Sequence, residues 1–149
     1  IASRNCQECV ELTGRARSIN RKKFSLQELD ARLNDPDHLA SRTLNTYTQL
    51  LRIRAAHPAF HPLAGQRILN LDARLFSVLR TASDFNQTVL CLVNISTTSL
   101  QIEVELSRWQ LPAANSWNDL IANRRIFAQA DQLLVQLSAY QSIWLLAES

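Results

Sequence analysis

The chain has 149 residues, 46% of them hydrophobic and 19% charged, which suits one folded domain or a domain with an appendage. Its net charge of +3 is too small to argue for nucleic acid, and only two glycines are present, which excludes phosphate-cradling and dinucleotide-binding loops. No apolar run approaches the roughly 20 residues that cross a bilayer, and the N-terminus does not read as a signal peptide.

The sequence contains no Met, so Ile1 is expected to follow from processing or excision of a longer chain. Cys6, Cys9 and Cys91 are an odd set without secretory context, which predicts reduced, cytoplasmic thiols. Cys6 and Cys9 form a C-x-x-C, but Cys91, His38, His57 and His61 do not supply a second pair at zinc spacing. Neither a metal nor a cofactor is expected.

The first third predicts helix. Ser25 followed by Glu28 is a capping box, with Phe24 and Leu29 at hydrophobic-staple positions, so a short helix is expected over residues 25–33. Asn34-Asp35-Pro36-Asp37 ends it. A second helix is expected over residues 37–56, where Ala40, Leu44, Tyr47 and Leu51 recur at helical spacing. Pro58 disfavours helical geometry at His57, and residues 57–62 read as a semi-rigid connector.

Beyond Gln66 the period becomes two. Apolar runs at 66–71, 75–81, 88–95, 100–106, 132–137 and 142–146 predict short strands with short links, hence antiparallel pairing. Gln101, Glu103 and Glu105 alternate with Ile102, Val104 and Leu106, giving one wet and one dry face. The fold class expected is an α+β fragment: N-terminal helices, then an antiparallel all-β C-terminal domain.

No self-sufficient active site is visible. Glu103 and Glu105 share a strand face, but it is the solvated one, and Asp30, Asp35 and Asp37 surround a helix break, where they serve as caps. Five cations lie in residues 15–23, from Arg15 to Lys23. They read as a solvated basic loop, as phosphate contacts, or as a loop reaching a sugar pocket. Only Phe24 is near for base stacking, so nucleic acid is not expected. Trp109 and Trp117 flank a loop containing Pro112 and are candidates for a sugar-stacking platform, whereas Trp144 reads as core. Asn86-Gln87-Thr88 and Asn94-Ile95-Ser96 match the glycosylation pattern, which has no consequence without secretion.

Gly14, then Arg17-Ser18-Ile19-Asn20-Arg21 running into Phe24-Ser25-Leu26-Gln27-Glu28-Leu29, resembles a segment near the end of the barrel in sucrose phosphorylases. These enzymes and the related glucosylglycerate phosphorylases form a branch of the α-amylase superfamily, glycoside hydrolase family thirteen. Leu50-Leu51-Arg52-Ile53-Arg54 with His57-Pro58-Ala59-Phe60 looks like that branch's last barrel helix and its exit, and Ala139-Tyr140-Gln141-Ser142-Ile143-Trp144-Leu145 is similar to its closing β-strand. The resemblance covers nearly the whole chain.

It implies that residues 1–62 are the last helices of a catalytic barrel with an active-site loop, and residues 63–149 a C-terminal antiparallel β-domain. It also implies that the Asp nucleophile, the Glu acid/base and the transition-state-stabilising Asp lie upstream, so this chain carries none of the catalytic carboxylates. The parent reaction would be retaining phosphorolysis, passing through a covalent glucosyl intermediate to glucose 1-phosphate. The partners implied are a sugar substrate, phosphate and the rest of the barrel; no membrane and no nucleic acid enter. Counting back from Ile19-Asn20-Arg21 assigns the family's donor-subsite Arg to Arg17, whose guanidinium fork suits a carboxylate and sugar hydroxyls together. Ser18 replaces the usual acidic residue and Ala16 the usual Gly, so Gly14-Arg15 is an alternative match that would give the role to Arg15. Asn20 and Arg21 complete the candidate substrate-binding set. A carbohydrate-binding β-module without chemistry is the rival reading. Severed from a barrel, the second helix would expose an apolar stripe and the chain would self-associate.

Overall fold

The computed structural model describes residues 6–17 and 24–148, and contacts divide the chain between Leu50 and Leu51 into two compact units. In the first unit lie α1 (Gln7–Thr13), α2 (Leu26–Asn34) and most of α3 (Leu39–Ala56). α1 was not expected from the pattern. It ends on Gly14, whose φ of +62° is the left-handed conformation that lets its N–H reach the Val10 carbonyl at 2.7 Å. At α2 the capping box forms as read: Glu28 N donates to Ser25 Oγ at 3.2 Å, and Ser25 N donates to Glu28 Oε2 at 3.0 Å. Phe24 lies under the Arg32 guanidinium, 4.6 Å from the ring centroid. The stripe expected on α3 is exposed: Leu44, Tyr47 and Leu51 are 42%, 61% and 45% accessible.

The second unit holds eight strands: β1 (Gly65–Leu69), β2 (Leu75–Thr81), β3 (Thr88–Asn94), β4 (Leu100–Glu105), β5 (Ser116–Asp119), β6 (Arg124–Phe127), β7 (Gln132–Leu137) and β8 (Ser142–Glu148). A six-stranded sheet runs β1-β2-β3-β8-β5-β6, a two-stranded sheet pairs β4 with β7, and all pairings are antiparallel. The fold class read in the sequence is therefore borne out. The β5–β6 hairpin was not read, because its strands are short and carry Asn118, Asp119, Arg124 and Arg125 among few apolar residues.

Strand alternation builds the core. Leu75 and Leu79 of β2, Leu90 and Leu92 of β3, and Ile143 and Leu145 of β8 point to one face of the large sheet. They meet Ile102 and Val104 of β4 and Leu133, Val135 and Leu137 of β7. Each such side chain contributes about 1.5–3 kcal/mol when fully buried. Glu103 and Gln101 lie on the wet face of β4, as the alternation indicated.

Residues 57–62 are more than a connector. Pro58–Phe60 is a 3₁₀ turn packed on the other face of the large sheet, with Ala59 fully buried and the Phe60 ring tilted at 46° against Trp144, 4.8 Å between centroids. Both backbone groups of Ala59 are held by strand side chains: its N–H donates to Gln87 Oε1 at 3.1 Å, and its carbonyl accepts from Arg80 Nε at 3.1 Å. Arg80 also donates to the His61 carbonyl at 2.8 Å and to Gln66 Oε1 at 2.7 Å.

The cysteines depart from the reading. Cys6 and Cys9 are joined in a disulfide with their Cα atoms 5.1 Å apart, so they are not free thiols; Cys91 is the free cysteine. The C-x-x-C spacing places the two side chains on adjoining positions at the start of α1, where their sulfurs meet.

Candidate functional site

Arg15 and Arg17 lie just beyond α1, and both side chains are exposed. The turn at Gly14 sends the chain into this segment, and Arg15 N approaches Thr13 Oγ1 at 3.4 Å. Asn20 and Arg21, like Lys22 and Lys23, lie outside the described residues. Among the described residues no group of three or more His, Cys, Asp or Glu gathers to hold a metal. No described helix is long and apolar enough to cross a membrane.

The tryptophan pair separates. Trp117 is fully buried on the inner face of β5, so it is core and not a platform. Trp109 is half-buried: it packs against the core cluster and also lines a surface pocket with Asn70, Glu103, Glu105, Arg108 and Gln132. Arg108 sets its guanidinium 5.6 Å from the Trp109 ring centroid. Sequence reading had found Trp109 but not Asn70 or Gln132. They come from the β1–β2 turn and the start of β7, and nothing in their local pattern marks them as neighbours.

The Trp109 loop is tied at several points. Ser107 N donates to Asp131 Oδ1 at 3.0 Å, and its hydroxyl donates to Asp131 Oδ2. Gln110 N donates to the Ser107 carbonyl at 3.0 Å, Leu111 N to the Leu106 carbonyl at 2.9 Å, and the Arg67 guanidinium to the Trp109 carbonyl.

Three titratable groups stand out. Burial pushes the His57 imidazole below its ordinary value of 6.5. Asp72 is held at about 2 by hydrogen bonds from the Arg74 side chain and backbone, a surface pairing that shapes the β1–β2 turn. Burial raises the Cys91 thiol to about 12, against a smaller opposing effect of the Arg80 charge.

Asn94, in one of the two glycosylation patterns, has no exposure at all. Its Nδ2 donates to the carbonyls of Thr98 and Ser138, each at 2.8 Å, and its Oδ1 accepts from Ser96 N at 2.9 Å and Ser96 Oγ at 2.8 Å. Its amide is committed to the fold and is not an acceptor site.

No family model matches the chain. A glucosylglycerate phosphorylase of Spirochaeta thermophila is 30% identical over 149 residues, covering 97% of this chain and 25% of that protein. A glucosylglycerate phosphorylase of Allomeiothermus silvanus is 43% identical over 86 residues, covering 58% of this chain and 15% of that protein. An α-amylase of Anoxybacillus superposes with a TM-score of 0.67 at 14% identity, covering 88% of this chain and 25% of that one. The chain thus spans a quarter or less of the length of these relatives. By sequence the chain belongs with the glucosylglycerate phosphorylases, and its fold is shared with part of an Anoxybacillus α-amylase.

Proposed function

We propose that this chain is the C-terminal part of a retaining glucosyl-transferring enzyme, one that uses phosphate to release glucose 1-phosphate as sucrose phosphorylases and their relatives do. The observation that carries the reading is the similarity to glucosylglycerate phosphorylases along 97% of the chain. In this reading residues 1–62 complete the barrel and residues 63–149 form the β-domain. The β-domain's part is structural. The outer face of its large sheet still exposes Ile68 and Phe76, 69% and 52% accessible, on the side where Phe60 already sits. That apolar strip suits cover by the rest of the enzyme, and without it the exposed strip and the α3 stripe favour self-association.

Arg17 is the one donor-subsite contact assigned here, with Arg15 as its alternative and Asn20 and Arg21 beside it in the same segment. Its exposure fits a group waiting for a ligand and a barrel wall. A charged sugar phosphate serves the cell only inside its membrane, so the proposal includes a cytoplasmic setting.

The test is an assay of the full-length protein with glucosylglycerate or sucrose, with and without phosphate. Phosphate-dependent glucose 1-phosphate supports the reading, and glucose released equally without phosphate makes the enzyme a hydrolase. Arg17→Ala is expected to lower glucosyl transfer by about 10²-fold, the cost of losing a positioning contact. Unchanged kinetics, with a large loss in Arg15→Ala, would move the role to Arg15.

The rival reading, a β-module that stacks an oligosaccharide between two tryptophans, loses its second platform because Trp117 is buried.

A further inference from the structure

Cys6 and Cys9 occupy the N-cap and the third helical position of α1. In α2 the same two positions hold Ser25 and Glu28, which close the first turn by a reciprocal pair of hydrogen bonds. The Cys6 side chain makes no such capping bond, and a disulfide joins the two positions instead. One helix start is thus fastened by hydrogen bonds and the other covalently.

α1 depends on this fastening. It has 7 residues, short of the roughly 12–15 at which an isolated helix holds in water, and none of them is buried. Its other supports begin at Cys9 and run toward the candidate loop. The Cys9 carbonyl accepts from the Thr13 hydroxyl, whose oxygen accepts in turn from Arg15 N at 3.4 Å. Gly14 N, bonded to the Val10 carbonyl, completes the last turn. The disulfide spans a sequence separation of only 3, so opening it frees little chain elsewhere and acts on this segment.

We propose that Cys6–Cys9 is a thiol–disulfide exchange site worked by a small cytoplasmic thiol couple, and that its opening loosens α1 and the segment carrying Arg15 and Arg17. Both cysteines are only half-buried, so a small thiol reaches them. Its thiolate attacks one sulfur, the S–S bond breaks, and the other sulfur leaves with the bonding pair and takes a proton from water. A second thiol then displaces the protein sulfur from the mixed disulfide. Two protein thiols and one small-molecule disulfide result. In a cytoplasmic setting the redox poise makes such a bond transient, which suits a sensor and not a permanent brace.

The test equilibrates the full-length protein with glutathione couples from oxidising to reducing. Alkylation and mass spectrometry count the thiols at Cys6 and Cys9, and amide hydrogen exchange is followed in residues 9–15. Reversible opening is expected, with exchange about fivefold faster in the reduced protein, the effect of losing one N-cap interaction. Cys9→Ala should exchange fast at every poise. Cys6→Ser combined with Cys9→Glu rebuilds the hydrogen-bonded box of α2 and should exchange slowly at every poise. A bond that glutathione neither opens nor re-forms overturns the exchange site. Equal exchange in the oxidised and reduced protein overturns the loosening of α1. The consequence for Arg17 rests on the phosphorolysis reading: KM for the glucoside should rise on reduction and stay level in the double variant. A KM that ignores the redox state overturns the link to the donor subsite. Hydrogen exchange is independent of that reading, so a protein that makes no glucose 1-phosphate yet exchanges in step with its redox state keeps the switch and loses the phosphorylase.

Discussion

Gln87 Nε2 lies 3.1 Å from His57 Nδ1, while the same amide's Oε1 accepts from Ala59 N at 3.1 Å. The second contact decides the first. Because Oε1 faces an N–H, Nε2 is the donor to the imidazole, and Nδ1 must carry a lone pair. His57 is thus held neutral, with its proton on Nε2, and burial presses its pKa in the same direction. Arg54, His61 and Asp84 line the same pocket as His57, and Arg80 is bonded to the neighbouring carbonyls.

A pH dependence follows. The folded pKa is below the ordinary 6.5, so below that value the unfolded chain binds more protons than the folded one, and stability rises with pH. The contribution is complete above 6.5 and is lost as pH falls toward the depressed folded value. Urea midpoints taken at about pH 7.5 and about pH 5.5 should show a drop on acidification that is smaller in His57→Gln. Equal drops in the two proteins would show that His57 does not titrate as this contact requires.

Asn94 joins the end of β3 to the turn before β4 and to the approach to β8. Asn94→Ala takes one of two donors from each of the Thr98 and Ser138 carbonyls and leaves the Ser96 N–H without its side-chain acceptor, at a cost of about 1–3 kcal/mol. Asn94→Asp removes both donors and sets a carboxylate against two carbonyls, so it should be at least as destabilising at neutral pH and recover partly in acid. Equilibrium denaturation checks both. A midpoint unchanged in Asn94→Ala would mean that water replaces the amide without loss.

Thiol counting tests the cysteines. With its pKa raised to about 12, Cys91 carries almost no thiolate at about pH 8, and Cys6 and Cys9 are bonded to each other. The native, unreduced protein should therefore react slowly with a thiol reagent and yield one thiol on unfolding, whereas reduction first should yield three. Fast reaction of two thiols in the native protein would show the Cys6–Cys9 bond open in solution.

Much of the architecture was legible in local pattern. The capping box at Ser25 and Glu28 formed as read, and β2 and β7 have the bounds that their alternation indicated. These features depend on neighbours within a few residues, where side-chain geometry and period act directly. The β5–β6 hairpin escaped because its stability comes from pairing with β8 and from burying Trp117, both distant in sequence. The candidate loop was legible at Arg15 and Arg17 only through resemblance, since exposed arginines leave no periodic signal.

By itself, then, the sequence determined the helix-then-strand order, the dry faces of the strands and the kinship to a family of sugar phosphorylases. Periodicity, caps and motif residues are local and survive without a folded context. Tertiary structure alone decided that Trp117 is fully buried while Trp109 is half-buried at the core's edge, that residues 57–61 are clamped to the sheet by Arg80 and Gln87, and that Asn94 is an internal tie. Each of these depends on which distant backbone or side chain arrives within hydrogen-bond or van der Waals reach, and strand register sets that, not neighbouring residues.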